Sequence, residues 1–138
     1  MLGQGKNAYQ AEIDAVCEVI DYLRFNVYFA SQIYADQPHS TLDQLNRMEY
    51  RPLEGFVFAV SPFNFTAIAS NLNLSVVLMG NTTVWKPAST SMLSNYILMR
   101  TLMDAGLPPG VINFVPGPAS VVGEIALGHP CFAGLHHL

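Results

Sequence analysis

The sequence predicts an α/β layered fold, a parallel sheet with flanking helices preceded by a long N-terminal helix. Three observations carry that prediction. From Phe56 onward, short apolar runs alternate with helix-length segments. The runs are continuous rather than alternating, as expected of strands buried on both faces of a parallel sheet. The helix-length segments close on glycines or prolines, the usual stop signals. The order strand, helix, strand, helix, strand, helix then calls for crossovers that lay the helices on the sheet faces.

The first element is a helix over Gln10 to Ile33. Ile13, Val16, Cys17, Ile20, Leu23 and Val27 recur at helical spacing, with Glu12, Asp14, Glu18 and Asp21 largely off that stripe. Cys17 is therefore expected in the core. Gln37-Pro38 ends the helix, and Asp36 to Gln44 reads as a polar connector. Asn46 to Pro52 alternates weakly and is a candidate edge strand.

Phe56-Val57-Phe58-Ala59-Val60 is the first buried strand, followed by a helix from Ala67 to Met79 that stops at Gly80. Thr82 to Trp85 is the second strand. A second crossover helix spans Thr90 to Ala105, capped by Gly106 and followed by Pro108 and Pro109. Val111 to Val115 is the third strand, Ser120 to Leu127 a short helix ending at Gly128, and Ala133 to His136 the start of a fourth strand. There is no internal repeat and no low-complexity segment.

The chain has 138 residues, enough for one domain with a real core. Its charged fraction is 12%, about half of the usual ~25%. Lys86 is the only charged residue between Gly55 and Met99. Much of the surface is therefore expected to be covered by another domain, a subunit or further chain. A membrane span is excluded, because no run of about 18 apolar residues is free of polar or helix-breaking residues. The best candidate, Leu72 to Trp85, holds Asn73, Ser75, Gly80, Asn81, Thr82 and Thr83. A net charge of −4 without a basic cluster gives no electrostatic footprint for nucleic acid. Met1 to Gly5 lacks a targeting pattern. Cys17 and Cys131 form neither a disulfide framework nor a zinc spacing, which suits a reducing compartment.

Ligands of parallel sheets bind beyond the carboxyl ends of the strands. Ser61 to Phe65, Lys86 to Ser89 and Pro116 to Ala119 occupy that edge. Asn64 could donate its amide to a developing oxyanion, or bond its own backbone as a turn residue. Lys86 could bind hydroxyls or phosphates of a nucleotide, or snorkel to the surface. Gly117 to Gly123 does not have the G-x-G-x-x-G spacing. A turn plus a helix-packing glycine is the simpler reading there, although a glycine loop before a helix can accept an anion. His129, His136 and His137 have no partners at metal-ligand spacing, and the terminal pair is expected to be exposed and idle. Cys131 has no general base near it in sequence and is not a candidate nucleophile.

Three motifs match a known family. Ser61-Pro62-Phe63-Asn64-Phe65 resembles the P-[WF]-N-[FY] motif of the aldehyde dehydrogenase superfamily, and Val84-Trp85-Lys86-Pro87 resembles its K-P motif. Ala105 to Gly117 resembles its A-G-x-P-x-G-V-x-N-x-V-x-G stretch. Phe63 in place of tryptophan, Glu54-Gly55-Phe56, Gly3-Gln4-Gly5-Lys6-Asn7 and Gln10 to Asp14 are similar to the branch acting on L-glutamate gamma-semialdehyde (1-pyrroline-5-carboxylate).

The resemblance implies a partial Rossmann-like sheet and NAD-dependent oxidation of a small-molecule aldehyde to a carboxylate, in proline degradation. It implies that Asn64 stabilises the oxyanion. Ser61, Pro62, Phe63 and Lys86 would contact NAD, Lys86 through the adenosine ribose hydroxyls, and Gly117 would lie near the adenine side. Ser89 stands where many members carry a glutamate, so that ribose contact is not carried over and the choice between NAD and NADP stays open. Members of the family continue into a further strand, a F-T-G-S turn, the catalytic cysteine and the general-base glutamate. Residues 1–138 are thus expected to be one partial NAD-binding domain of a homo-oligomeric enzyme, cytoplasmic in bacteria and mitochondrial in eukaryotes. The alternative is a non-catalytic nucleotide-binding or interaction module that keeps part of the fold. The coding sequence after Leu138 discriminates the two.

Overall fold

The structure, a computed structural model, describes residues 1–138. It opens with α1 (Ala8–Ala11), a π-helical segment (Glu12–Cys17) and α2 (Glu18–Ala35), stacked end to end as one long helix. The helix starts before Gln10 because of a reciprocal cap. The Gln10 backbone N–H donates to Asn7 Oδ1 at 2.9 Å, and the Asn7 N–H donates to Gln10 Oε1 at 3.2 Å.

The apolar stripe does not behave as the spacing predicts. Ile13, Val16, Ile20, Leu23 and Val27 are 40% to 57% exposed, and Cys17 is exposed rather than in the core. Part of the stripe borders an open apolar hollow of about 430 Å³, where Val16, Ile20 and Leu23 face Ile97 and Leu98 without filling the space between. The shielded line becomes Ala15, Val19, Tyr22, Asn26 and Ala30, with Asp14 and Glu18 half-buried beside it. Asn26 Nδ2 donates to Asn71 Oδ1 at 2.7 Å and ties α2 to the first crossover helix.

The candidate edge strand over Asn46 to Pro52 does not form. No strand lies beside it to complete a ladder, and single side-chain bonds hold the segment instead. The Tyr50 hydroxyl donates to Ile33 O at 3.0 Å, and the Leu53 N–H donates to Asn81 Oδ1 at 2.8 Å.

The rest follows the predicted alternation: β1 (Phe56–Val60), α3 (Thr66–Leu78), β2 (Thr82–Lys86), a 3-10 turn (Ser89–Ser91), α4 (Met92–Asp104), β3 (Ile112–Phe114), α5 (Ala119–Leu127) and β4 (Phe132–His137). The strands form one sheet in the order β3-β2-β1-β4 with every pairing parallel. Non-consecutive neighbours such as β1 and β4 leave room for helices on the faces. Gly80 and Gly106 end α3 and α4 at φ of +84° and +102°, a left-handed region that glycine enters without penalty.

The core lies where α3 and α4 cover β2 and β3. Ala69, Trp85, Met99 and Ile112 form its centre, with Leu74, Val77, Leu98 and Leu102 packed around them. A polar thread crosses it without loss. Thr83 Oγ1 donates to Asn73 Oδ1 at 2.9 Å, and Asn73 Nδ2 donates to Ala69 O at 3.0 Å. Those two side chains keep their partners, whereas Thr66 Oγ1 and Asn95 Oδ1 are buried without one. The helices hold the carboxyl ends of β1, β2 and β3 at one edge, and that edge positions the site.

Candidate active site

The register of β1 and β2 places Val60 opposite Lys86. Beyond the ladder, the Ser61 N–H donates to Lys86 O at 3.2 Å, and the Val115 N–H donates to Trp85 O at 2.8 Å. The segments after β1, β2 and β3 therefore leave the sheet side by side. Ser61 to Phe65, Lys86 to Ser89 and Pro116 to Ala119 share one edge, as the strand order requires.

Successive side chains on β2 point to opposite faces. Trp85 is fully buried on one, and Lys86 is 7% exposed on the other. The structure contains a single ion pair, Lys6 with Asp14, so no carboxylate neutralises the Lys86 ammonium. Most of the side chain is covered, while the ammonium has no ion-pair partner and stands at the carboxyl edge of the sheet. The chemistry such a group offers is donation to hydroxyl or phosphate oxygens.

Ser61 is 5% exposed, and its Oγ accepts from Trp85 Nε1 at 2.9 Å. The bond fastens the end of β1 to β2 and fixes where the next residues start. Pro62 is half-buried and Phe63 is 65% exposed. Asn64 is exposed in the bend that follows, and its side chain makes no hydrogen bond within the protein. The backbone-bonded turn role is absent, which leaves both amide donors free for a ligand. Phe65 is extended, with φ of −135° and ψ of 113°, and no side chain caps α3. The first-turn N–H groups of α3 thus have no side-chain partner, at the positive end of the helix dipole that follows Asn64.

After β3, Gly117 approaches α5 closely: a Cβ there would meet Val122 Cγ2 at 2.8 Å. That contact keeps the loop tight against the helix it feeds. Gly123 has open space around it and plays no packing role, unlike the sequence reading. A hollow of about 400 Å³ lies between the sheet and α5, with walls that include Val84, Val115, Val122 and Ile125. The largest hollow, about 820 Å³, is lined by Tyr96, Met99, Arg100 and Phe114 and touches neither Asn64 nor Lys86. Chemistry rather than size selects the strand edge.

Cys131 is exposed just before β4, and its carbonyl accepts the Phe56 N–H at 2.9 Å, at the amino end of the sheet. It lies on the edge opposite Asn64. No cluster of three metal-ligating side chains exists. His136 differs from the expectation of an idle histidine. It is half-buried, and its Nδ1 lies 2.9 Å from Leu72 O, which only accepts, so Nδ1 carries the proton. His137 is exposed.

Two contacts at the site went unread in the sequence. Gln4 Nε2 donates to Phe63 O at 3.1 Å, and Lys6 Nζ lies 4.1 Å from the centroid of the Phe65 ring. Sequence spacing across about sixty residues gave no sign of them.

The sequence matches the aldehyde dehydrogenase family over residues 1–136. It is 55% identical over 137 residues to the mitochondrial delta-1-pyrroline-5-carboxylate dehydrogenase of Emericella nidulans, covering 99% of this chain and 24% of that protein. It is 47% identical over 136 residues to the human mitochondrial enzyme of the same name, again covering 24% of it. A crystal structure of the Mycobacterium tuberculosis delta-pyrroline-5-carboxylate dehydrogenase bound with NAD superposes with a TM-score of 0.95 at 57% identity, covering 99% of this chain and 25% of that one. The chain therefore spans about a quarter of the length of the relatives it matches. With a family match across nearly its whole length, the chain belongs to the aldehyde dehydrogenase family.

Proposed function

We propose that this chain supplies one part of the NAD-binding domain of an enzyme that oxidises L-glutamate gamma-semialdehyde (1-pyrroline-5-carboxylate) to L-glutamate in proline degradation. One observation carries the proposal: a free Asn64 amide and the unpaired Lys86 ammonium follow neighbouring strands at one sheet edge. The names of the relatives supply the substrate.

The residues present fit NAD. Lys86 offers an uncommitted ammonium to the ribose hydroxyls, and the backbone of Ser61 to Phe63 forms a wall beside it. Gly117 holds the loop close against Val122 of α5, and the apolar hollow against that helix suits a flat base. NAD, when bound, supplies the acceptor for the hydride that leaves the aldehyde carbon. The Asn64 amide donates to the carbonyl oxygen as negative charge develops there. One such donor is worth about 2.7–4 kcal/mol in the transition state. The uncapped N–H groups of α3 add to the same field.

Neither cysteine of the chain reaches this edge. Cys17 faces outward on the long helix, and Cys131 lies at the opposite end of the sheet. The thiolate nucleophile and the general base are assigned to another part of the same polypeptide. By the names of the eukaryotic relatives, a eukaryotic source would place the enzyme in mitochondria.

The test is Asn64→Ala in the full-length enzyme, followed by semialdehyde-dependent NADH production. Turnover should fall by about two to three orders of magnitude with the KM for NAD little changed. A fall of less than about threefold with the fold intact overturns the oxyanion role.

A further inference from the structure

We propose that Gln4 and Lys6 are positioning residues for Asn64, gripping the two residues that flank it. The proposal rests on the oxyanion reading of Asn64. The Asn64 side chain bonds to nothing in the protein, so only its backbone sets its aim. That backbone is clamped on both sides. Before it, Gln4 Nε2 donates to Phe63 O at 3.1 Å. After it, Lys6 Nζ sits 4.1 Å from the Phe65 ring centroid, in cation–π range.

The clamp is itself anchored. Lys6 Nζ lies 2.7 Å from Asp14 Oδ2, and the two side chains are only 15% and 21% exposed. Asp14 sits in the π-helical segment, which brings it to the shielded side of the long helix. Gly3 presses against α4 so closely that a Cβ would come within 2.9 Å of the Ser94 nitrogen. Gly5 turns the chain at φ of +63°, and Asn7 caps α1. Residues 3 to 7 are thus fixed at Gly3 and Asn7, and the two side chains between those anchors, Gln4 and Lys6, reach the Asn64 loop. Oxyanion donors work because their aim is set before the reaction, and small misplacements of such groups cost large factors in rate.

The experiment is a double-mutant cycle in the full-length enzyme. Lys6→Met keeps the apolar stem and removes the charge. It should lower kcat about tenfold with the KM for NAD within about twofold of the parent. Lys6→Arg should restore most of the loss, because a guanidinium also pairs with Asp14 and stacks on Phe65. In an Asn64→Ala background, Lys6→Met should cost less than about twofold, because the group it aims is gone. Gln4→Met is an independent probe with the same expected signature, and it decides the matter if Lys6→Met does not fold. Unchanged kcat in Lys6→Met or Gln4→Met overturns the proposal. So does a full tenfold loss that persists without the Asn64 amide. Failure of Asn64→Ala itself to slow turnover is a separate result and removes the oxyanion reading instead.

Discussion

On the proposed reading, Lys86 serves cofactor binding rather than the fold. Most of its side chain is covered at the end of β2, and its ammonium has no carboxylate partner. Folding gains no ion pair from it. Lys86→Met should therefore leave thermal stability equal or raise Tm, while the KM for NAD rises about tenfold and kcat changes little. Calorimetry and NAD titration of turnover, done on one preparation, check both halves. A lower Tm with an unchanged KM would show that the lysine serves the fold instead. The residue was legible because nothing charged surrounds it from Gly55 to Met99. Asn64 was legible only as a polar group at a strand end, since its freedom from backbone bonds is a property of the folded bend. Cys17 and His136 were misread for opposite reasons. Helical spacing put Cys17 on the apolar stripe, and that stripe is itself left uncovered in the fold. His136 found a partner, Leu72 O, that is distant in sequence.

Among the elements, the strands were the most readable. Unbroken apolar runs mark strands buried on both faces; β1 and β3 form within the predicted segments, and β2 runs one residue past its own, to Lys86. Asn46 to Pro52 failed because alternation without a neighbouring strand yields no ladder. The junction of β1 and β4 carries a constraint that neither strand announces. Gly55 has φ of +98°, and a Cβ there would run into the Cys131 carbonyl. That carbonyl accepts the Phe56 N–H at 2.9 Å, just outside the β1–β4 ladder. Gly55→Ala thus meets both backbone strain and a steric block at the first rung. It should destabilise by about 2–4 kcal/mol, read as a fall in Tm. Gly123→Ala, with open space around it, is the control and should be neutral or slightly stabilising by helix propensity. Equal behaviour of the two variants would refute the close-approach reading of Gly55.

The whole molecule exposes more surface than its mass warrants. A 15.1 kDa chain has 8795 Å² accessible, against about 7,100 Å² for a compact monomer of that mass. The excess, on the order of 1,700 Å², is the scale of one side of a large obligate interface. Only 20 of 138 residues are buried, while Phe25, Tyr28, Phe29, Ile33 and Leu135 stand exposed. The low charge fraction of the sequence pointed to covered surface, but the particular residues left open depend on how the elements pack. β4 adds a second source of association. It is an edge strand of six residues, paired only with β1, and an unpaired edge of that length recruits other strands. A purified 138-residue chain should therefore self-associate in sedimentation. It should also bind NAD weakly and produce no NADH from the semialdehyde, because its cysteines lie away from the Asn64 edge. A monodisperse monomer with micromolar NAD affinity would overturn the covered-surface argument, and steady NADH production would place the nucleophile within this chain.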